Sequence, residues 1–264
     1  MMKLSVLATI LVCLSFGFMA VQTEAEIDPA TIAGAWLFDE GTGKVAEDLS
    51  GNKLDGTLQG DPKWVDGKFG KALELDGSGA YVEVPGHENP REQITISIWV
   101  KSKTDAWNQH GFFVEKRNAY VLHPNANTKV MAWAMCNNGC WNKPHAWHTN
   151  AVGPDDITEW HMYTVTYNSE TGKWIIYIDA KAESTLDLNK DPIDADTGPV
   201  FIGRDSCCAG RFGNVLIDEV AIFSVALEQD DIQTLMEKGL ATTLTAVEAE
   251  DKMATTWGNV KTRY

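Results

Sequence analysis

Positive charge is scarce in this sequence: 22 Lys and Arg stand against 37 Asp and Glu, a formal net charge of −15. So acidic a surface repels a phosphate backbone, and nucleic acid is excluded as a partner. No G-x-S-x-G, G-x-x-x-x-G-K or H-E-x-x-H pattern occurs, so the common nucleophile, nucleotide and zinc-hydrolase signatures are missing. Beyond residue 21 no apolar run is long enough to span a bilayer, which leaves no membrane span after signal cleavage. No internal repeat or second domain is evident. Cysteine is also sparse, with five in the chain.

The amino terminus carries Lys3, an apolar run over 4–21, and Thr23-Glu24-Ala25 with small residues where a signal peptidase reads. Residues 1–25 therefore read as a secretory signal peptide, and the expected location is secreted, periplasmic or cell-surface. Cleavage removes one base, Lys3, and one acid, Glu24, so the net charge is unchanged. The roughly 240 residues that remain fit one domain with a sizeable core. Cys13 leaves with the leader, and Cys136, Cys140, Cys207 and Cys208 stay. In an oxidising compartment four cysteines predict two disulfides, with three possible connectivities. The rival use is a zinc site combining the thiolates with His145 and His148.

Hydrophobic alternation and turn residues predict a chain of strands. An apolar strand opens at Ile32, followed by a turn at Asp48-Leu49-Ser50-Gly51-Asn52. Residues 67–84 place two strands around Asp76-Gly77, with glycines free to take positive φ and Asp76 capping the turn. Clean alternation marks 94–100, and shorter strands follow at 112–115, 119–123 and 129–135. A hairpin joins 160–167 to 173–179. Strands are then expected over 200–204 and 215–223. In the last of these, Val215, Ile217, Glu219, Ala221 and Phe223 should share one face, and Leu216, Asp218, Val220 and Ile222 the other. Leu227, Ile232, Leu235 and Met236 form one face of a short helix that Gly239 should stop.

Several of these pieces resemble a known family. The G-x-x-G-x-A-L-x-x-D-G run at 67–77, T-x-S-x-W-V at 95–100, W-H-x-x-x-x-T-Y at 160–167 and I-D-E-V at 217–220 are similar to the laminin G-like jelly roll. That fold belongs to the concanavalin A-like lectin/glucanase superfamily. The resemblance spans about residues 33–239 and implies an all-β, two-sheet antiparallel jelly-roll sandwich with a short C-terminal helix. The domain is set at 32–240, and 241–264 form a C-terminal tail. Ala180 stands where the family usually has glycine. Catalysis in the glucanase branch needs acids spaced E-x-D-x-E or E-x-D-x-x-E, with retaining carboxyls about 5 Å apart. No such run exists, so no enzyme activity is expected.

Two loops stand out, 136–148 and 205–213. Counting strand reversals, with 181–198 held at the far rim, places them on one rim. On that count Cys136 and Cys140 pair across to Cys207 and Cys208; the competing pairing is Cys136–Cys140 with a vicinal Cys207–Cys208. The expected ligand site has Trp141 and Trp147 as stacking faces and Asn137, Asn142, His145 and Arg204 as hydrogen-bond partners. Trp107 and His110 join from another loop. Family members often bind calcium, for which Asp205 is the candidate ligand. The expected partner is an extracellular carbohydrate or glycoprotein; the alternative is a structural or adhesive domain that recognises protein and has no sugar site. N-terminal sequencing of the exported chain should begin at Glu26, and a chain that keeps residues 1–25 would refute the signal-peptide assignment.

Overall fold

The computed structural model describes residues 27–138 and 150–244. After a 3-10 turn at Pro29–Thr31, fifteen strands are formed by the described residues. They are β1 (Ile32–Trp36), β2 (Val45–Ala46), β3 (Gly56–Gln59), β4 (Lys63–Asp66), β5 (Lys71–Glu74), β6 (Tyr81–Val84), β7 (Gln93–Ser102) and β8 (Val114–Lys116). There follow β9 (Tyr120–Pro124), β10 (Met131–Met135), β11 (His161–Asn168), β12 (Lys173–Ile178), β13 (Lys181–Asp187), β14 (Val200–Ile202) and β15 (Val215–Phe223). A helix, α1, occupies 229–244. One sheet runs β13-β12-β11-β7-β15-β5-β4 with β1 also on β15, and the second runs β10-β9-β8-β14-β6-β3-β2. The expected all-β, two-sheet antiparallel sandwich with a C-terminal helix is what the chain forms.

Alternation decides what lies between the sheets. Ile94, Ile96, Ile98 and Val100 of β7 meet Val82, Val84, Leu122, Trp133 and Met135 of the opposite sheet. The indoles of Trp133 and Trp174 stack there, with centroids 5.6 Å apart and planes 11° apart. The other side of the eight-stranded sheet is buried too. Trp99, Met162, Tyr177, Ala221 and Phe223 pack under Leu227, Ile232, Leu235 and Leu240. Each large side chain so covered contributes about 1.5–3 kcal/mol. Thr95, under the helix, is satisfied locally: its hydroxyl accepts from Leu227 N at 2.8 Å and donates to Val225 O at 2.7 Å.

Strand β15 departs from the expected alternation. Val215 and Ile217 face the inter-sheet core, and so do Val220 and Ile222, whereas Ala221 and Phe223 face the helix. The register slips between Asp218 and Ala221, and Glu219 takes φ +41°. This is a β-bulge, which inserts a residue and inverts the parity of everything after it. The bulge also lies where the outer partner of β15 changes from β5 to β1.

Both bulge carboxyls have structural partners. Asp218 is fully buried, and its Oδ2 accepts from Lys68 N at 2.8 Å and Phe69 N at 3.0 Å. Glu219 accepts from Leu240 N at 3.0 Å. Gly239 takes φ +75°, as expected of a stop, yet helical residues continue to 244 and past the expected domain edge at 240. The bend at Gly239 frees the N–H groups of Leu240 and Ala241, and the Glu219 carboxylate receives both.

The segment after Ala180 is a second departure. Residues 181–187 were expected within a long connection, but they form β13, paired with β12 from Lys173↔Asp187 to Ile178↔Lys181. Its residues are mostly exposed, because an edge strand has little to bury and its charges discourage further pairing. Asp179 and Ala180 join the two strands with φ +49° and +60°, the two left-handed positions of a tight hairpin turn. Ala180 thus holds the shape that glycine would give.

Burial pushes the Asp218 carboxyl up to about 8 and the Glu219 carboxyl up to about 7. A carboxyl that binds its proton more tightly when folded stabilises below its unfolded value near 4. That contribution is lost as pH rises through the folded value. Asp218→Asn keeps the acceptor and removes the titration. Its melting temperature should exceed that of the native chain by a margin that grows from pH 4 to pH 8, reaching roughly 1–3 kcal/mol in stability. A margin independent of pH in thermal melts would contradict this assignment.

Candidate functional site

Because α1 covers the outer face of the eight-stranded sheet, the outer face of the seven-stranded sheet is the one left for a ligand. Register aligns one residue from each strand across it: Val45, Thr57, Glu83, Phe201, Glu115, Val121 and Ala134. Val45 and Thr57 are exposed, Glu83 and Phe201 half-buried, and Glu115, Val121 and Ala134 buried. The open half of the face is therefore β2, β3, β6 and β14.

An aromatic cluster sits at its middle. Tyr81 meets Phe201 edge-on at 5.8 Å and Phe212 at 5.9 Å. The Arg204 guanidinium lies 4.8 Å from the Tyr81 ring, 5.1 Å from Phe201 and 5.7 Å from Phe212. Its Nη1 donates to Tyr81 Oη at 2.9 Å. Guanidinium over aromatic faces is favourable by about 0.5–2 kcal/mol per contact. Gly203 sets this up: at φ +89° it turns the chain out of β14, and a Cβ there would strike the Leu75 side chain. Arg204 then forms an isolated bridge to Phe212, which closes the loop 205–211.

That loop lies over β8 and is pinned by buried charge. Glu115 Oε2 accepts from Ser206 N at 2.6 Å, and Oε1 from Ser206 Oγ at 3.0 Å. Asp205, 2% exposed, accepts from Arg117 Nη1 at 3.2 Å, Arg211 Nη1 at 2.6 Å and Cys207 N at 2.9 Å. Arg117 also donates to Glu115 at 3.2 Å. Burial raises the Glu115 carboxyl above its ordinary value, with the neighbouring Asp205 charge adding to the effect. Nearby, burial pushes His123 down to about 4, so the imidazole is neutral; its Nδ1 meets Asn125 Oδ1 at 3.0 Å.

Those expected site residues that fall among the described residues lie apart from one another. Trp107 is 1% exposed and packs edge-on against Phe112, Phe113 and Tyr163, so it is core and offers no stacking face. Asn137, also 1% exposed, donates to Asn189 Oδ1 at 3.0 Å and so holds the 189–191 segment rather than a ligand. Asp205 does not fit calcium, because two guanidiniums and a backbone N–H occupy its oxygens. Among the described residues no group of three or more His, Cys, Asp or Glu could hold a metal ion. Cys140, Trp141, Asn142, His145 and Trp147 lie outside the described residues. Of the described members of the expected set, Arg204 is the one on the open face.

The cross-loop disulfides are corrected. Cys207 bonds Cys208, and Cys136 is disulfide-bonded separately. The reason is the extra strand β13, which carries the chain back across the sheet once more. Asp194 N donates to Cys136 O at 2.7 Å, so Cys136 lies at the rim where β14 begins. Residues 205–208 follow the other end of β14. Tyr81, Phe201, Phe212, Glu115, Arg117 and Arg211 were not anticipated as site residues. Their signal was alternation in Y-V-E-V and V-F-I, read together with a strand order that the sequence does not display.

No helix among the described residues is long and apolar enough to cross a membrane. Solved structures share the fold at low identity. The binding domain of Paraclostridial Mosquitocidal Protein 1 matches at TM-score 0.62 and 15% identity, over 80% of this chain and 52% of that one. The botulinum neurotoxin DC binding domain in complex with SialylT gives 0.61 and 16%, over 80% and 52%. This chain thus spans about half the length of those domains. Domain 4 of AbnA, an extracellular arabinanase of Geobacillus stearothermophilus in complex with arabinotriose, gives 0.60 and 18%, over 79% of this chain and 99% of that domain. The Laminin_G_3 family profile, of the concanavalin A-like lectin/glucanases superfamily, matches residues 76–233. Because that match covers more than half of the chain, the protein belongs to that family.

Proposed function

We propose that this protein is an exported, non-catalytic binding module that takes carbohydrate on the open outer face of its seven-stranded sheet. The observation that carries the reading is the half-exposed cluster of Tyr81, Phe201, Phe212 and Arg204. Aromatic rings beside a held guanidinium offer what a sugar needs, apolar faces for its C–H groups and fixed donors for its hydroxyls. Two fold neighbours were solved with sugars, arabinotriose and SialylT, which agrees with this choice of ligand. The non-catalytic part rests on the acids. Asp218 and Glu219 are spent on the GKFG loop and the helix, and Asp205 and Glu115 on arginines and Ser206.

A glycan panel of neutral and acidic oligosaccharides at fixed ionic strength tests this directly. Tyr81→Ala and Phe201→Ala should each weaken the best ligand about 5- to 10-fold. Trp141→Ala and Trp147→Ala belong in the same panel, as the stacking residues expected from sequence. Affinity that withstands both Tyr81→Ala and Phe201→Ala removes the proposed face. Absence of any glycan binding, with capture of a protein ligand instead, favours the adhesive alternative.

A further inference from the structure

The loop over β8 carries a feature that the binding reading does not use. Cys207 and Cys208 are joined to each other, and both are exposed, as are Ala209 and Gly210 after them. Arg211 Nη1 lies 3.6 Å from Cys207 Sγ. That guanidinium is fixed in place, since it donates to the buried Asp205 carboxylate at 2.6 Å. Arg117 neutralises the same carboxylate at 3.2 Å. A guanidinium N–H donor therefore faces Cys207 Sγ. Among the described residues no comparable donor reaches Cys208 Sγ, and the two sulfurs are therefore inequivalent.

Disulfide exchange goes fastest when the attacked sulfur is accessible and the departing sulfur is stabilised as thiolate. We propose that the Cys207–Cys208 bond is a thiol-exchange site, at which a low-molecular-weight thiolate attacks Cys208 Sγ and Cys207 Sγ departs as a thiolate beside Arg211. In the first step a bond forms between the incoming sulfur and Cys208, the Cys207–Cys208 bond breaks, and its electron pair passes to Cys207. A second thiolate attacks the incoming sulfur of the mixed disulfide, forms the small-molecule disulfide and releases Cys208. Two thiols are oxidised, the protein bond takes up two electrons, and both cysteine thiolates are protonated from solvent. The site goes beyond the carbohydrate reading and does not depend on it.

The full chain, treated with 2-mercaptoethanol, quenched in acid and alkylated, reports the site by peptide mapping. The only charge this thiol carries is on the attacking thiolate sulfur, and attraction of that charge to Arg211 would direct the adduct to Cys207, opposite to the leaving-group effect. At early times the adduct should sit on Cys208 and the alkyl group on Cys207, by roughly five to one. Arg211→Gln should slow exchange roughly 3- to 10-fold and erase the preference, while Arg211→Lys should restore most of both. Circular dichroism checks that the variants fold; if Arg211→Gln does not, the positional ratio in the native chain decides alone. Equal labelling of the two sulfurs, adduct chiefly on Cys207, or an unchanged rate in folded Arg211→Gln would overturn the proposal.

Discussion

Two neighbouring carboxyls at one bulge organise the molecule. Asp218 cannot stay buried on the outer side of β15 without donors, and the N–H groups of Lys68 and Phe69 provide them. Glu219, kept on that same outer side by the bulge and its positive φ, collects the N–H groups freed at Gly239. Leaving either carboxyl without its donors would cost several kcal/mol, which is why the loop before β5 and the end of α1 are fixed relative to β15. The same bulge inverts the parity of β15. Val220 and Ile222 thereby return to the core, and Phe223 becomes part of the helix platform.

That arrangement has a functional consequence. With α1 spread over one outer face, the other is left open for the proposed ligand. There the short β14 ends at Gly203, and the chain doubles back as a loop held to β8 by Glu115, Arg117, Asp205 and Arg211. A buried ionic network of this kind adds little net stability, because desolvation offsets most of the attraction. Its effect is positional: it fixes Arg204 and Phe212 beside Tyr81 and Phe201, and it presents the Cys207–Cys208 bond to solvent.

The sandwich itself was legible because its strands alternate and its turns carry their own chemistry. Asp76 illustrates this: its Oδ1 accepts from Ser78, Gly79 and Ala80 N, an arrangement visible in D-G-S-G before any fold is known. The single charge-rich strand β13 was invisible for the opposite reason, since an edge strand needs no apolar face. Missing it moved the loop 205–213 to the wrong rim and with it the expected disulfides. Trp107 shows the same limit from the other side, because nothing in its local sequence distinguishes an indole in the core from one offered to a sugar.

Local physics in the chain determined the strands, the Asp76 turn, the hairpin at 168–172 and the amphipathic helix, since each follows from side-chain periodicity or a side chain bonding its own neighbours. Tertiary structure alone decided which residues share the open face. Tyr81, Phe201 and Arg204 are brought together by strand order and by Gly203, and Asp205 meets Arg117 across 88 positions of chain. Such contacts depend on how many times the chain reverses, and one uncounted reversal exchanges one rim for the other.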